Sequence, residues 1–465
     1  MISKNLAVQV LNAGLATGAD FVEIFLEENP LLSIQVENGH VKEINSSLQY
    51  GAGIRLLKDL QSVYGSTSDV SRKGLLKLAS QLAASFSGPA IKSVDKITKK
   101  RNHNYYPAEK RLDYIPNQEK IKLMKECSNL MSEYDPSIKI ARVFFSESIQ
   151  KVTIYNSDGF HFEDTRPRLR MFFLPIAVGP NGMETGGEGP GATGGWEFFT
   201  DVHDAKNTAL RAAEQAVRTL NAKECPSGKM PVVIGNGFGG VIFHEACGHS
   251  LEATSVARGI SVFSNKKGQQ IASPLVTAID DGTIDKAWGS INIDDEGHPS
   301  QKNVLIKNGI LTSYMIDRLN GRRMGAVSTG SGRRQNYSYE PTSRMTNTYI
   351  DNGKSTPEEI ISSVKLGLYA KSLGGGSVNP ATGEFNFACS EAYIIREGKV
   401  AEPVKGATLI GSGEDILKNI TMVGNDLKRA QGMCGSVSGS IPVDVGQPTI
   451  LVSEITVGGR GGKLQ

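Results

Sequence analysis

The stretch from Val232 to Glu252 constrains this chain more than any other part of its sequence. A short apolar run leads into a glycine-rich turn, and the helix that follows carries His244, Glu245 and His249. Two imidazoles beside a carboxylate are typical of a site that binds a zinc ion and activates water with a neighbouring base. The stretch therefore predicts a zinc-dependent peptidase, for which the rest of the chain must supply a third ligand and a substrate groove.

The spacing of the two histidines is unusual for a zinc helix. His249 follows His244 by five residues, whereas the common His-Glu-x-x-His motif places its ligands four apart. Residues of a regular α-helix turn by about 100° each, so this spacing separates the two rings by about 140°. Both rings can reach one ion only if the helix is widened or ends between them. Gly248 is the position where such a change is easiest.

Residue types alone leave the third ligand open, because catalytic zinc usually has three protein ligands and one free position. The candidates are Cys247, Cys434, Glu252, Asp294 and Asp295. Cys247 is nearest in sequence, but it lies about 60° from His244 around a helix and would crowd the metal. Cys434 lies in Gln-Gly-Met-Cys-Gly-Ser, which predicts a glycine-flanked turn where a thiolate forms readily near a cation. Spacing does not decide between the two cysteines.

A nucleotide site is the alternative interpretation of the glycine-rich turn. Gly235-Asn-Gly-Phe-Gly-Gly240 matches the dinucleotide fingerprint between a strand and a helix. That fingerprint needs an acidic residue about 20 positions later, and residues 253–275 contain none. Arg258, Lys266 and Lys267 can instead meet a 2′-phosphate. The simpler hypothesis is that the glycines let the helix approach its neighbours closely.

Length and patterning predict an α+β fold with two domains. The 465 residues are too many for one ordinary core. The first part reads as helix, strands and helix, with a hairpin at Asn38-Gly39, and the second half reads as rich in strands. We place the domain boundary after Cys225-Pro-Ser-Gly228. Residues 1–228 are then an N-terminal α/β domain, and residues 229–465 are a β-rich C-terminal domain that carries the metal-site helix.

Two further segments give local predictions. Gly182 to Gly195 contains seven glycines without an apolar period, which predicts a mobile loop that is either a plain connector or a lid. Thr356-Pro-Glu-Glu359 has the pattern of a capping box with proline at the first helical position. It predicts a helix that runs through Leu368.

Composition narrows the function classes. The net charge of +3, from 51 basic and 48 acidic residues, gives no general attraction for nucleic acid. Five cysteines at irregular spacings indicate a reducing compartment and no disulfide framework. The sequence contains neither a signal-peptide pattern nor an apolar run of about 18 residues. We therefore expect a cytoplasmic protein with no membrane and no nucleic-acid partner.

The central motif resembles the TldD/PmbA family of peptidases. His-Glu-Ala-Cys-Gly-His-Ser-Leu-Glu matches the His-Glu-x-x-x-His motif of the catalytic TldD branch, which the PmbA-type branch generally lacks. The resemblance covers essentially the whole chain and is specific from about Pro231 onward. Further matching segments are Asp294-Asp-Glu-Gly297, Ser331-Gly-Arg-Arg334, Arg344-Met-Thr-Asn-Thr348, Val404-Lys-Gly-Ala-Thr-Leu-Ile-Gly-Ser-Gly413, Gly432-Met-Cys-Gly435 and Val445-Gly-Gln-Pro-Thr449.

The resemblance implies a set of roles for this chain. His244, His249 and Cys434 would be the zinc ligands, and Glu245 would be the general base. Family members are two-domain α+β proteins whose dimers, either homodimers or heterodimers with a metal-less PmbA-type relative, enclose the site. Such enclosure favours short or unfolded peptides that add as a strand beside the site. Cys247 departs from the aliphatic residue common at its position, so its competition as a ligand stays open.

A non-catalytic subunit of such a heterodimer is the competing function. It would be a regulatory or binding protein without turnover. The intact set of His244, Glu245 and His249 argues against this alternative, because a silent subunit does not need it.

Overall fold

The computed structural model describes residues 2–180, 182–378 and 383–464, and its mixture of helices and strands confirms the predicted α+β class. The strands of the N-terminal half are β1 (Phe21–Glu37), β2 (His40–Lys58), β3 (Gln61–Thr67), β4 (Thr98–Lys99), β5 (Ile138–Asn156), β6 (Phe160–Gly179), β7 (Gly182–Thr185) and β8 (Gly191–Thr193). Its helices are α1 (Lys4–Leu15), α2 (Arg72–Ala83), α3 (Asn117–Tyr134) and α4 (Ala205–Leu220).

These strands form one sheet in the order β3-β2-β1-β5-β6-β4, with β7 and β8 also paired to β6. The predicted hairpin joins β1 to β2 through Asn38 and Gly39, whose φ angles of 48° and 75° are those of a tight primed turn. The predicted mobile loop at Gly182 to Gly195 is wrong as to local structure, because β7 and β8 lie within it. Backbone pairing with β6 holds both strands against the sheet.

The four helices cover one face of this sheet. Even-numbered side chains of β1 point towards them, with Val22 in the cluster of α1 and α2 and Ile34 in the cluster of α3 and α4. The odd-numbered Phe25 points the other way and packs with Ile293 of the C-terminal half. The alternation of a half-buried strand therefore gives the sheet a helix-covered face and a face that meets the C-terminal half.

The C-terminal half contains an eight-stranded sheet, a six-stranded sheet and a strand pair within the described residues. The eight-stranded sheet contains β9 (Lys223–Glu224), β10 (Gly228–Ile234), β17 (Leu366–Val378), β18 (Glu384–Arg396), β19 (Lys399–Lys405), β20 (Thr408–Ser412), β21 (Ile420–Val423) and β24 (Ile450–Gly458). The six-stranded sheet contains β11 (Ala278–Asp281), β12 (Lys302–Lys307), β13 (Ile310–Leu311), β16 (Asn347–Ile350), β22 (Lys428–Ser436) and β23 (Gly439–Gln447). The pair is β14 (Gly332–Arg333) and β15 (Thr342–Ser343), and the helices are α5 (Val241–Phe243), α6 (Ala253–Val256), α7 (Arg318–Met324), α8 (Pro357–Ser362) and α9 (Gly413–Lys418).

Helix α8 begins as predicted and ends early. Thr356 and Glu359 form the capping box, and Pro357 is the first helical residue. The helix ends at Ser362, so the predicted extension through Leu368 is wrong. Strand β17 begins at Leu366, where pairing with β10 and β18 replaces the helical pattern. No helix in the described part of the chain combines the length and apolar character needed to cross a bilayer.

Buried ion pairs join the first sheet to the C-terminal half. Arg55 on β2 contacts both Glu23 on β1 and Glu296 of the C-terminal half. Arg334 of the C-terminal half contacts Glu23 as well. Removing one partner of a buried pair typically costs about 3–5 kcal/mol, because the remaining charge is left without compensation. These pairs therefore hold the two halves in one arrangement.

Candidate metal centre

The helix that carries the two histidines is widened between them. Strand β10 leads into a 3-10 turn over Gly237–Gly240, then α5, and then a π-helical turn over His244–Gly248. The N–H of His249 donates to the carbonyl of His244, five residues earlier. A π turn brings residues five apart onto one face. The two rings lie with their centroids 5.2 Å apart, so the predicted widening is confirmed.

The glycines of the turn let this helix lie directly against strand β23. A Cβ on Gly240 would overlap the backbone of Gly446, and one on Gly239 would lie 2.7 Å from Nε2 of Gln447. Side chains at these positions would push the helix away from the sheet. The close-approach hypothesis therefore accounts for the glycines, and the nucleotide alternative is not favoured.

Cys434 reaches the histidines from the other sheet. It lies in β22, opposite Ile441 of β23, so the predicted glycine-flanked turn is wrong and the flanking glycines are strand residues. Its Sγ is 3.3 Å from Nε2 of His249. The possible ligand atoms of His244, His249 and Cys434 all lie within 4.8 Å of one another. The helical segment after β10 and strand β22 thus bring two nitrogens and a sulfur close together.

The electrostatics favour a thiolate at this point. Burial raises the pKa of Cys434, but the charge of His244 and hydrogen bonds from His244 and His249 lower it more, to about 3. Burial lowers the pKa of His249, but the charge of Glu252 and the hydrogen bonds that the ring donates to Cys434 and Glu252 raise it well above its usual value. A thiolate and two imidazoles form the donor set that zinc prefers. The donors therefore fit that ion.

Glu252 holds the His249 ring from behind. Its Oε2 lies 3.2 Å from Nδ1 of His249, and its Oε1 lies 3.8 Å from Nε of the buried Arg344. A carboxylate at the second nitrogen fixes the tautomer and orientation of a metal-binding imidazole. Glu252 is thus an orienting residue and does not join the donor group. Its spacing of three residues from His249 indicates that the two side chains meet on one side of a helical turn. Residue type alone made Glu252 a candidate ligand instead.

Arg344 holds the strand that carries Cys434. Its guanidinium donates to the carbonyls of Cys434 and Gly439 and to Oγ of Ser438. The side chain is fully buried, so these hydrogen bonds replace its contacts with water. Arg344 therefore links the Cys434 strand to Glu252, and sequence reasoning did not identify this link.

Glu245 lies on the solvent side of the group. Its Oε2 is 3.7 Å from Nε2 of His249, and its side chain is 29% exposed. The Cys434 side is closed, since that residue is only 2% exposed. A carboxylate beside the ligand group and open to water is placed to accept a proton from a bound water molecule.

The remaining ligand candidates have other contacts. The Cys247 thiol contacts the carbonyl of Gly413 at 3.6 Å, and burial raises its pKa well above the usual value. Asp294 accepts hydrogen bonds from backbone N–H groups, including that of His298, and Asp295 pairs with Arg166. The structure places these three residues outside the group formed by the histidines and Cys434.

Three parts of the chain match models of one protein family. Residues 227–459 match the PmbA/TldA metallopeptidase C-terminal domain, residues 110–220 match the central domain, and residues 22–86 match domain 1. A "Metalloprotease TldD homolog" of Buchnera aphidicola is 37% identical over 449 residues, which cover 95% of this chain and 93% of the relative. A "Zinc metalloprotease TldD homolog" of Saccharolobus solfataricus is 26% identical and covers 79% of this chain and 87% of the relative.

The fold also matches a solved structure. The crystal structure of TldE from Thermococcus kodakarensis superimposes with a TM-score of 0.76 and 18% identity, and the match covers 97% of this chain and 99% of that one. At this level of identity the match shows the shared fold.

Proposed function

Since the chain belongs to the PmbA/TldD metallopeptidase family, we propose that it is a zinc-dependent peptidase whose ion is bound by His244, His249 and Cys434. The observation that carries this proposal is the convergence of the three ligand atoms within 4.8 Å, from a helical segment and strand β22. The name of the relative that includes the word zinc supports the identity of the metal. The buried Nδ1 of His244 has no hydrogen-bond partner among the described residues.

The proposed reaction is hydrolysis of a peptide bond. A zinc ion at this point would polarise the scissile carbonyl and lower the pKa of a bound water toward about 7. Glu245 takes one proton from the attacking water, whose oxygen bonds to the carbonyl carbon. Glu245 then gives this proton to the leaving nitrogen as the carbon–nitrogen bond breaks. Glu252 keeps the His249 ring in position throughout and exchanges no proton with the substrate.

Short or unfolded peptides are the proposed substrates, bound as an added strand beside the site. We propose a dimer, either of two copies of this chain or with a PmbA-type relative, on the strength of the family resemblance. Light scattering of the purified protein, alone and mixed with such a relative, tests the assembly. The cytoplasmic location remains a prediction that agrees with the five free cysteines.

Replacement of the base tests the mechanism. Glu245→Gln should bind zinc and peptide like the wild type and cleave neither casein nor a short peptide. The wild type should lose cleavage on addition of a chelator and recover it with zinc. Turnover near the wild-type rate in Glu245→Gln would remove Glu245 from this role.

The two cysteines provide a matched pair for the ligand assignment. Cys434→Ala should lose both zinc and activity, whereas Cys247→Ala should keep both because its thiol points to Gly413. The reverse result would overturn the assignment. A wild-type protein that binds zinc but cleaves nothing would favour the competing function, a non-catalytic subunit, which the complete donor group argues against.

A further inference from the structure

Strand β6 presents a row of arginines to the C-terminal half. Arg166, Arg168 and Arg170 alternate with Leu169 and Met171, which pack under helices α3 and α4. Because side chains alternate across a strand, the three guanidinium groups share the opposite face of the sheet. On the neighbouring β5, residues 146, 148 and 150 lie directly beside them in register.

This face forms the floor of a cavity of about 370 Å³ between the two halves. Its other walls include Arg333 of β14, the following Arg334, and Met433 of β22. Met433 and Cys434 are consecutive strand residues and therefore lie on opposite faces of β22. The cavity is thus separated from the metal centre by the thickness of one strand.

Two of the five arginines in the cavity wall have carboxylate partners. Arg166 pairs with Asp164 and Asp295, and Arg334 pairs with Glu23. The two carboxylates in the cavity wall are engaged as well, since Asp295 binds Arg166 and Glu147 binds Lys120.

The other three arginines have no carboxylate within 4.0 Å among the described residues. Arg170 donates to the carbonyls of Gly189 and Gln431. Arg333 donates to the carbonyls of Met345 and Pro442.

Arg168 is the least satisfied of the three. It is 6% exposed, and its Nη1 donates a long hydrogen bond of 3.5 Å to Oε1 of Gln150. Its buried Nε has no hydrogen-bond partner among the described residues. A buried guanidinium normally has its donors satisfied and its charge paired. Among the described residues, Arg168 therefore lacks an acceptor for its Nε and a carboxylate within ion-pair distance.

Burial and neighbouring arginines both disfavour the charged form of these side chains. Burial and then the charge of Arg166 lower the pKa of Arg168 to about 10. Burial and then the charge of Arg168 lower the pKa of Arg333 to about 9. The two side chains thus repel each other, and the carboxylate whose charge partly offsets this for both, Asp295, is paired with Arg166.

We propose that this cavity binds a small oxyanion, a carboxylate or phosphate group, through Arg168, Arg170 and Arg333. Guanidinium groups bind such oxygens with paired, charge-assisted hydrogen bonds. One bound anion supplies an acceptor for Nε of Arg168 and compensates charge that has no carboxylate partner among the described residues. The site lies on the opposite face of β22 from Cys434 and shares no residue with the proposed metal centre.

Calorimetric titration of the whole protein tests the proposal. The probes are inorganic phosphate and acetate, at constant ionic strength with chloride as the background anion. Phosphate should bind saturably and raise the melting temperature. Arg168→Gln should weaken phosphate binding by about tenfold or more, because one charged hydrogen-bond donor is lost. The control Arg211→Gln removes a surface arginine that pairs with Glu188 and should leave binding unchanged.

A second variant supplies the missing charge from within the chain. Ser148 lies beside Arg168 in the β5–β6 register, so Ser148→Asp places a carboxylate at the cavity. This variant should melt at a higher temperature than the wild type without anion, and it should lose the response to phosphate. It keeps the proposal testable if Arg168→Gln fails to fold.

A peptide with a free or an amidated C-terminus separates the two sources of the anion. Preference for the free carboxylate, lost in Arg168→Gln, would identify a peptide terminus as the occupant, and equal binding of both peptides with tight phosphate binding would identify a free anion. Both results support the site. Absence of saturable binding by any probe, or equal binding by wild type and Arg168→Gln, would overturn it. If Ser148→Asp weakens self-association while no probe binds, a side chain of a second copy fills the cavity and the proposal is wrong.

Discussion

Replacement of Glu252 by glutamine should weaken zinc binding without removing a ligand. The carboxylate is 4% exposed and lies 3.2 Å from Nδ1 of His249. Glutamine keeps the shape and one hydrogen-bond acceptor but removes the negative charge that makes the imidazole a stronger donor. Loss of such an orienting partner typically lowers metal affinity about 10–100-fold. Each tenfold change is about 1.4 kcal/mol, so we expect a loss of about 1.4–2.8 kcal/mol.

Competition with a chromophoric chelator measures this difference directly. Glu252→Leu removes both the charge and the hydrogen bond, so it should bind zinc more weakly than Glu252→Gln. Glu358→Gln, at an exposed position of α8, is the control for loss of one negative charge and should match the wild type. Glu252 also lies beside Arg344, so its replacement can affect the fold as well as the metal centre. The melting temperatures of the metal-free proteins distinguish these two effects. Zinc affinities within twofold of the wild type for both Glu252 variants would refute the orienting role.

Three further predictions concern the scaffold. Gly240→Ala should lower the free energy of unfolding by about 1–3 kcal/mol, because its Cβ would overlap the facing strand, whereas Gly375→Ala, with open space around its Cβ, should not. Arg55→Ala should cost about 3–5 kcal/mol in urea unfolding, because two buried carboxylates lose their partner, whereas Lys151→Ala removes an exposed pair worth about 0–1 kcal/mol. Burial raises the pKa of Asp444 to about 7, so its contribution to stability is present below about pH 4 and is lost as the pH rises toward 7. The free energy of unfolding of Asp444→Asn should therefore fall less steeply between pH 5 and 7 than that of the wild type, by up to about 1.4 kcal/mol per pH unit. Identical pH profiles of the two proteins in urea unfolding would contradict this.

The helix that carries His244 and His249 is an example of local structure that the sequence predicts. The five-residue spacing of His244 and His249 requires a wider turn, and the structure has a π turn between them. The hairpin at Asn38-Gly39 and the capping box at Thr356 follow from the same kind of local chemistry. These features depend on residues within one turn of each other, so the sequence alone is sufficient to predict them.

Features that depend on distant pairing were not predictable in the same way. The sulfur of Cys434 contacts His249, which is 185 residues away in sequence. Spacing alone did not decide whether Cys434 or Cys247 is the third ligand. Glycines suggested a turn around Cys434, but pairing with β23 makes that segment a strand. Likewise, the alternating arginines of β6 are unremarkable on one strand, and their lack of counter-charges appears only when the C-terminal half closes the cavity. Tertiary contacts decide these cases.

X-ray absorption at the zinc edge of the zinc-loaded protein tests the central claim most directly. The account predicts one sulfur at about 2.3 Å and nitrogen or oxygen neighbours at about 2.0–2.2 Å, with the sulfur lost in Cys434→Ala and kept in Cys247→Ala. A zinc environment without sulfur in the wild type, or one that is unchanged by Cys434→Ala, would contradict it.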